Sequence, residues 1–437
     1  MSELREAVVG RLATRLQFSP VRDPSARREL ARTIVEDVLS DSALQRVRSG
    51  EPAWTVDDEI ALGDAVLAAI FGLGRLQPLV DDPGIENIEA NGCDDVWLCY
   101  ADGREERGPA IAASDDELIE LIQNLGARIG ASERTFTTAS PSLHLRLDDG
   151  SRLAAMAWTT PRPQLVIRRH RVRDVDLGDL VALGTIDRRL EGFLRAALRS
   201  GKNMVVTGLQ NVGKTTLLRA IAGEFPRTER FATIEREYEL HLHDLPDRHP
   251  RVVAMEAREG SAERDGSGVH CGEVSLSDLV LDALRMNLRR IIVGEVRGPE
   301  VLPMLDAMST GDGSLCTLHA RSARHAFDRL VTLCLSAGVG MTDTFAYRLA
   351  AGAVDLVVHL TLVDSGAGGR ERYVSEVVEI CGIGEFGRPM MTSVFGPGSD
   401  GRAVPQHRPQ CLPDLVRAGL DPALLEPVGA GLGRVGR

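Results

Sequence analysis

The chain has 437 residues, of which 43% are hydrophobic and 4% aromatic, and it carries a formal net charge of −12. That length and apolar content are sufficient for two or three domains with hydrophobic cores. The acidic balance disfavours a dedicated binder of duplex DNA, because such proteins usually carry an excess of basic residues.

The pattern of cysteines and the lengths of the apolar segments indicate the cellular compartment of the protein. The seven cysteines are scattered, form no CxxC pair and show no zinc-ligand spacing, which favours a reduced cytoplasmic protein. The start, "MSELREAVVGRLATRL", is charged throughout and lacks the apolar run of a signal peptide. The stretch "LAAGAVDLVVHLTLV" contains Asp355 and His359 and is too short to cross a bilayer. The sequence therefore predicts a soluble protein that is able to dock on a membrane complex.

The first part of the chain predicts helices followed by a small α/β domain. Apolar residues recur at three- and four-residue spacing over residues 1–70, which predicts an N-terminal helical segment. Over residues 71–172, "GIENIEANG", "DVWLCYADG" and "QLVIRRH" alternate like strands, and "SLHLRLDDGSRLAAMAW" predicts a hairpin. Between them, "SDDELIELIQNLGARIG" predicts an amphipathic helix capped by Ser114.

The second part predicts a parallel sheet. The charged segment "RRHRVRDVDLGDL" is typical of an interdomain linker. Residues 173–395 then alternate helices with short apolar strands such as "NMVVTG", "RFATIE", "RRIIVGE" and "SLCTLHA". Strands this uniformly apolar belong in a parallel sheet that is covered on both faces. Residues 396–437 are rich in Gly, Pro and Arg with little periodicity, and we expect a largely disordered tail there.

The stretch "GLQNVGKTT" has the spacing of a phosphate-binding loop between a strand and a helix. Its glycines let consecutive backbone N–H groups face phosphate oxygens, Lys214 reaches the terminal phosphates, and Thr215 offers a hydroxyl to Mg²⁺. Asn211 stands where such loops often have Gly, and Asn is the non-glycine residue that best tolerates a positive φ. The predicted nucleotide-binding residues are Gly208, Leu209, Gln210, Asn211, Val212, Gly213, Lys214, Thr215 and Thr216.

The positions of the lysines distinguish between GTP and ATP as the bound nucleotide. GTPases with a similar loop recognise guanine through an Asn-Lys-x-Asp motif, which needs a lysine after an asparagine. The chain has two lysines, Lys202 and Lys214, and each follows a glycine. That guanine-reading motif is therefore absent from the sequence, and we expect ATP.

Three acid or base side chains follow later strands. Glu295 ends the strand in "RRIIVGEVRG", where a carboxylate can polarise a water for attack on the γ-phosphate. Gly294 stands where an Asp commonly precedes such a Glu. "TIEREYEL" offers Glu235 and Glu237, and His319 ends the strand in "GSLCTLHA". We predict that the catalytic machinery includes Glu295, Glu235 and His319.

These motifs occur in the order found in a known family. The loop, "TIEREYEL", "ALRMNLRRIIVGEVRG" and "GDGSLCTLHA" resemble the Walker A, Asp box, Walker B and His box of the type II/IV secretion ATPases. The N-terminal "GLGRLQPLVDDPGIENIEANG", "LRLDDGSRLAAM" and "QLVIRRHR" resemble the CpaF/TadA branch, which drives Flp/Tad-type pili. The resemblance covers roughly residues 65–385. The chain departs from the family pattern at Asn211-Val212 and at "MNLRR", which replaces a Pro-Asp turn.

The resemblance implies an α/β fold with a RecA-like P-loop ATPase core, a smaller N-terminal α/β domain, Mg-ATP, and a homo-oligomeric ring, usually a hexamer. It also implies a position at the cytoplasmic face of the inner membrane, with platform proteins of a pilus or secretion system as partners. The acidic charge balance leads us to expect no dedicated nucleic-acid binding. Glu235 becomes the Asp-box acid, Glu295 the catalytic glutamate and His319 the His-box residue. Arg152 and Arg168 match arginines that the family places near the γ-phosphate, and Thr215, Glu295 and Glu235 are the implied Mg²⁺ residues.

Two other functions are compatible with the sequence. One is a DNA-transfer ATPase of a conjugation-type system, which the acidic balance weakly disfavours. The other is a structural subunit that binds a nucleotide without hydrolysing it. Salt-dependent binding of duplex DNA favours the first of these, and a phosphate-release assay distinguishes the second from a motor.

Overall fold

The computed structural model divides the chain into two compact units, Met1–Arg171 and Val172–Arg437. The structure describes residues 2–18, 24–50, 52, 54–100, 102–129, 135–147, 149–169, 174–258, 260, 272–338, 340–364 and 369–426. Within the predicted linker, residues 170–173 lie outside the described residues, and helix α6 (Leu177–Ala182) begins soon after them.

Three helices open the first unit and pack on one another. They are α1 (Ser2–Phe18), α2 (Pro24–Arg48) and α3 (Val56–Phe71). Their contact is a small apolar cluster that includes Val8, Val35 and Val66, all of them buried. The apolar spacing along these helices supplies that contact, because residues three and four apart lie on one helix face.

The rest of the first unit is a six-stranded sheet with one covered face. Its helices are α4 (Gln77–Asp81) and α5 (Asp115–Ile129), and its strands are β1 (Ile85–Asn91), β2 (Val96–Tyr100), β3 (Glu105–Arg107), β4 (Ser142–Arg146), β5 (Arg152–Met156) and β6 (Gln164–Arg168). The order is β3-β2-β1-β6-β5-β4, and every pair is antiparallel. Leu153 and Ile167 are buried while their neighbours Ala154 and Val166 are exposed. This alternation is what a sheet with one core face requires.

The second unit contains a larger sheet with helices on both faces. Its remaining helices are α7 (Arg188–Arg199), α8 (Lys214–Ala222), α9 (Leu276–Ala283), α10 (Val301–Thr310), α11 (Ala323–Ala337), α12 (Asp343–Ala353) and α13 (Leu412–Arg417). Its strands are β7 (Met204–Gly208), β8 (Phe231–Glu235), β9 (Val252–Glu256), β10 (Arg290–Val293), β11 (Leu315–His319), β12 (Leu356–Asp364), β13 (Arg370–Ile383), β14 (Pro389–Pro397) and β15 (Ala403–Pro405).

The nine strands are ordered β15-β14-β13-β12-β7-β11-β10-β8-β9. The six from β12 to β9 are parallel, and β13 to β15 extend the sheet with antiparallel pairs. One apolar core joins the sheet to α6, α7 and α8, and a second joins the other face to α9, α10, α11 and α12. This arrangement confirms the α/β class with a RecA-like core. The loop after β7 is at the carboxyl edge of the parallel strands, where open α/β sheets bind ligands.

The expectation of a disordered tail is wrong for residues 396–426. β14 and β15 pair through Phe395 and Pro405, and α13 follows. Leu415, Leu420 and Leu425 are each less than 5% exposed and belong to the core shared with α7 and α8. Residues 427–437 lie outside the described residues. Ordering a segment rich in Gly and Pro costs conformational entropy. The hydrophobic free energy gained by burying these leucines offsets that cost.

Candidate functional site

The loop after β7 has the backbone that its glycines and Asn211 predict. Gly208 has φ 155°, and a Cβ there would stand 2.6 Å from Val212 Cγ2 and 2.7 Å from the carbonyl oxygen of Leu360. Asn211 and Gly213 have φ 61° and 93°, in the left-handed region. Gly213 is the N-cap of α8, so the loop leads directly into the positive end of a helix dipole. Leu209 and Gln210 are exposed and Thr216 is half-buried.

Lys214 lies at the centre of the site. The residue is only 8% exposed, and its Nζ donates to the carbonyl oxygen of Leu209 at 2.7 Å. The same Nζ is 3.3 Å from Nδ1 of His319. β7 and β11 are parallel neighbours in which His319 pairs with Gly208, and this register brings the histidine to the loop. The structure thus brings together two residues predicted from separate motifs.

Glu295 joins the same group. Its Oε1 is 2.8 Å from His319 Nε2, and Arg297 Nη2 donates to its Oε2 at 2.6 Å. Burial tends to raise the pKa of Glu295, but the contacts with His319 and Arg297 outweigh it and lower the pKa to about 2. Glu295 is therefore ionised near neutral pH. Arg297 was not singled out from the sequence, and its position two residues after Glu295 is the signal that could have identified it.

The ring of His319 lies between two charged groups. Its Nε2 lies 2.8 Å from Glu295 Oε1, and its Nδ1 lies 3.3 Å from Lys214 Nζ. The result is a continuous chain of Glu295, His319 and Lys214 across the edge of the sheet. The imidazole in this position links the orientation of the Glu295 carboxylate to that of the Lys214 ammonium.

Glu235 has a different environment from Glu295. It is 2% exposed, and its Oε2 accepts from the backbone amides of Glu239 and Leu240, both at 2.8 Å. A Cβ on Gly294 would lie 3.0 Å from Glu235 Cγ. The glycine before Glu295 therefore leaves the space that the Glu235 side chain fills. These contacts indicate that Glu235 shapes the turn after β8.

That turn carries an acid which the sequence interpretation missed. Thr215 Oγ1 donates to Glu239 Oε2 at 3.1 Å, so Glu239 reaches the loop. Arg219 of α8 holds the turn by donating to the carbonyl oxygens of Leu240 at 2.8 Å and Glu239 at 2.5 Å. Hydroxyl and carboxylate oxygens are the ligands that Mg²⁺ prefers, so Thr215 and Glu239 fit the ion that the family implies.

A second missed residue contacts the loop from the other side. Arg372 of β13 donates from Nε to the carbonyl oxygen of Asn211 at 2.9 Å. The contact braces the residue with the unusual positive φ. The chain contains many arginines, and no local pattern in the sequence distinguishes this one.

Arg152 and Arg168 belong to the first unit and lie directly opposite each other on β5 and β6. Arg146 of β4 is opposite Arg152, so three arginines form a row across adjacent strands. Like charges directly opposite each other destabilise a sheet, and such a row is suited to an anion.

Comparison with known proteins gives a consistent result. The type II/IV secretion system protein family matches residues 72–375. A Mycobacterium tuberculosis protein provisionally named as a conjugal transfer protein is 31% identical over 315 residues, which cover 70% of this chain and 84% of that protein. The type IV secretion system protein VirB11 of Brucella suis is 33% identical over 360 residues, which cover 75% of this chain and 94% of that protein.

Two solved structures also align with much of this chain, with low TM-scores. The ATPase DotB of Legionella pneumophila aligns with 71% of this chain and 81% of its own, with 21% identity and a TM-score of 0.49. The VirB11 ATPase of Brucella suis in complex with sulphate aligns with 73% and 96%, with 27% identity and a TM-score of 0.36. Both TM-scores are below 0.5, so family membership rests on the sequence matches. Among the described residues, no helix combines the length and apolarity that crossing a bilayer requires.

Proposed function

Since the chain belongs to the type II/IV secretion system protein family and is an ATPase, we propose that it uses Mg-ATP hydrolysis to power the assembly of a Flp/Tad-type pilus or a related type II/IV secretion machine. The observation that carries the hydrolytic part is the chain of Glu295, His319 and Lys214 beside the phosphate-binding loop. It supports the proposal because a carboxylate and an ammonium group lie together at one edge of one sheet.

In this proposal the loop amides and Lys214 bind the phosphates, and Glu295 acts on water. The water oxygen forms a bond to the γ-phosphorus while the bond to the bridging oxygen breaks, and Glu295 accepts the water proton. Both carboxylate oxygens of Glu295 are engaged, by His319 and by Arg297. Arg297 is the more exposed partner, at 61% of its side chain against 39% for His319. We therefore assign Arg297 as the partner that moves away to free an oxygen for water.

Mg²⁺ bound at this site neutralises phosphate charge and orients the terminal phosphate. Thr215 and Glu239 are the residues that would hold it, directly or through water, given their hydrogen bond at 3.1 Å. The involvement of Glu295 and Glu235, expected from the family resemblance, remains a prediction. Glu235 is a positioning residue in this proposal, because it binds the two amides that orient Glu239.

The ring is a further part of the proposal. We propose a homo-oligomer, usually a hexamer in this family, at the cytoplasmic face of the inner membrane with platform proteins as partners. Arg152 and Arg168 then stabilise the charge that develops on the γ-phosphate. Specific ATPase activity should rise with protein concentration as rings form, and Arg152→Ala and Arg168→Ala should each lower turnover more than ATP binding. Full activity in a monomer, with both variants unaffected, would contradict the ring.

A conjugation-type DNA-transfer motor is the second candidate, and the provisional name of the mycobacterial relative favours it. The net charge of −12 opposes it. Binding of duplex DNA that weakens steeply with added salt would support DNA transfer over pilus assembly. A structural subunit that only binds nucleotide is not retained as a candidate, because the chain belongs to a family of ATPases.

The chain offers a matched pair for testing the ATPase site, because it has two lysines. Lys214→Ala should abolish Mg-ATP binding and phosphate release while the chain stays folded. Lys202→Ala is the control, since the Lys202 ammonium pairs with Asp414 at 2.9 Å and has no assigned role in the site. Wild-type phosphate release by Lys214→Ala would show that the loop is not the ATPase site.

A further inference from the structure

Three metal-ligating side chains converge just beyond the turn that carries Glu239. His241, His243 and Asp244 offer donor atoms that all lie within 4.8 Å of one another. His241 Nδ1 is 2.9 Å from Asp244 Oδ2, and His243 Nε2 is 3.4 Å from Asp244 Oδ1. The nucleotide site described above uses none of these three residues.

The separations match those around a small transition-metal ion. Zn–N and Zn–O bonds of about 2.0–2.1 Å in a tetrahedron place neighbouring ligand atoms about 3.3 Å apart. The two separations, 2.9 and 3.4 Å, lie on either side of that value, although each runs to a different oxygen of the Asp244 carboxylate. Since all three donor atoms lie within 4.8 Å of one another, an ion could bind between them after the side chains rotate to bring these atoms closer together.

The backbone already holds the three residues in place. His241 is fully buried and has φ 51°, a left-handed conformation that is uncommon for a non-glycine residue. It precedes a short 3-10 helix, Leu242–Asp244, which brings the Asp244 carboxylate within 2.9 and 3.4 Å of the two imidazole nitrogens. The ring of Tyr238 packs on His243 with centroids 4.6 Å apart. Such pre-organisation lowers the entropy that metal binding has to overcome.

We propose that His241, His243 and Asp244 bind one divalent transition-metal ion of the Zn²⁺ type, with water completing a tetrahedral shell. Two imidazoles and one carboxylate favour Zn²⁺ over Mg²⁺ or Ca²⁺, which prefer all-oxygen ligands. This ion is distinct from the Mg²⁺ of the nucleotide site, and the proposal of this metal site does not rest on the proposed function.

The position of the cluster gives the ion a structural role. Leu240 directly precedes His241, and Arg219 of α8 binds its carbonyl oxygen at 2.8 Å. Glu239 comes one residue earlier and accepts from Thr215. An ion at residues 241–244 therefore fixes the far side of the turn that presents Glu239 to the phosphate-binding loop.

The test is a Zn²⁺ titration of the tag-free full chain, stripped of metals, in competition with a chromophoric chelator and without ATP or Mg²⁺. The variants are His243→Ala and Asp244→Asn, both at partly exposed or exposed positions, and the control is His407→Ala, an exposed histidine outside the cluster. The unfolding midpoint of each protein is measured with Zn²⁺ and with EDTA. Co²⁺ is used as a spectroscopic probe of coordination geometry.

We expect one Zn²⁺ per chain in the wild type and in His407→Ala, a raised unfolding midpoint, and visible Co²⁺ bands of a tetrahedral site. Each cluster variant should bind more than about 100-fold more weakly, since even loss of an outer-shell partner costs 10- to 100-fold. In EDTA the variants should unfold like the wild type. Equal Zn²⁺ binding by His243→Ala, or no competitive binding by the wild type, would overturn the proposal. Because ATP hydrolysis is not measured, neither outcome bears on the ATPase site.

Discussion

The two ends of strand β10 carry ion pairs with opposite environments. Arg290 begins the strand and pairs with Glu229, and both side chains are 3% exposed. Glu295 follows the end of the same strand, and its partners His319 and Arg297 are 39% and 61% exposed. One end is closed to solvent and the other is open to a substrate.

The closed end has the contacts of a structural feature. The Arg290 guanidinium also donates to the carbonyl oxygens of Leu198 at 3.1 Å and Gly313 at 3.3 Å, and it lies 4.9 Å from the ring of Phe225. At the open end, Glu295 binds groups that a substrate can displace. On this strand, an ion pair whose partners are exposed to solvent is therefore the better candidate for a functional role.

The largest expected effect is on the free energy of unfolding, and it distinguishes the buried end of β10 from the exposed end. Arg290→Ala leaves Glu229 buried without its partner, and should lower the free energy of unfolding by about 3–5 kcal/mol. The neighbouring Arg289 is 57% exposed and 3.7 Å from Glu229, so Arg289→Ala is the matched control and should cost less than about 1 kcal/mol. Urea unfolding measures both. Similar losses for the two variants would remove the distinction between the ends of β10.

A smaller effect is expected at the open end from His319. His319→Ala removes the link between Lys214 and Glu295 but keeps both charged groups, so turnover should fall roughly tenfold with ATP binding unchanged. His407→Ala is the control for loss of an imidazole elsewhere. Phosphate-release kinetics at saturating ATP decide the question, and unchanged turnover would return His319 to a purely structural role.

The smallest effect is a pH dependence of stability at Glu295. Its pKa is about 2 in the folded chain against an ordinary 4.5, because contacts with His319 and Arg297 outweigh burial. A lowered carboxyl pKa stabilises the fold above 4.5, and that contribution is lost as the pH falls towards 2. Glu295→Gln should therefore lose less unfolding free energy than the wild type over this range. Parallel urea titrations with the same acid slope would contradict the lowered pKa.

Much of the open end could be predicted because its signals are local. The glycines, Lys214 and Thr215 are contiguous, and Glu295 and His319 end parallel strands whose carboxyl ends share one edge. Glu239 was missed because it lies beyond the end of β8, in a turn whose shape depends on hydrogen bonds from two backbone amides to Glu235. The sequence pattern of the strand does not predict that turn. No local pattern distinguishes Arg372, whose partner Asn211 is 161 residues away in the chain.

In residues 396–426, amino-acid composition alone gave the wrong prediction of disorder. Glycine and proline suggested disorder, yet Pro405 lies on an edge strand and Pro422 follows the capping residue Asp421. Both are positions that tolerate proline. The spacing of Leu415, Leu420 and Leu425 was the available signal, but their burial depends on a core formed far away in sequence.

The central claim is that the open end of β10 hydrolyses ATP through Glu295. The most direct measurement compares ATP binding and phosphate release in Glu295→Gln, with Glu371→Gln as a control at an exposed acid that pairs with Arg402. We expect Glu295→Gln to bind ATP like the wild type and to lose roughly two to four orders of magnitude in turnover, as removal of a general base does. Turnover within a few-fold of the control, or an equal loss of binding and turnover, would contradict the assignment of Glu295 as the base.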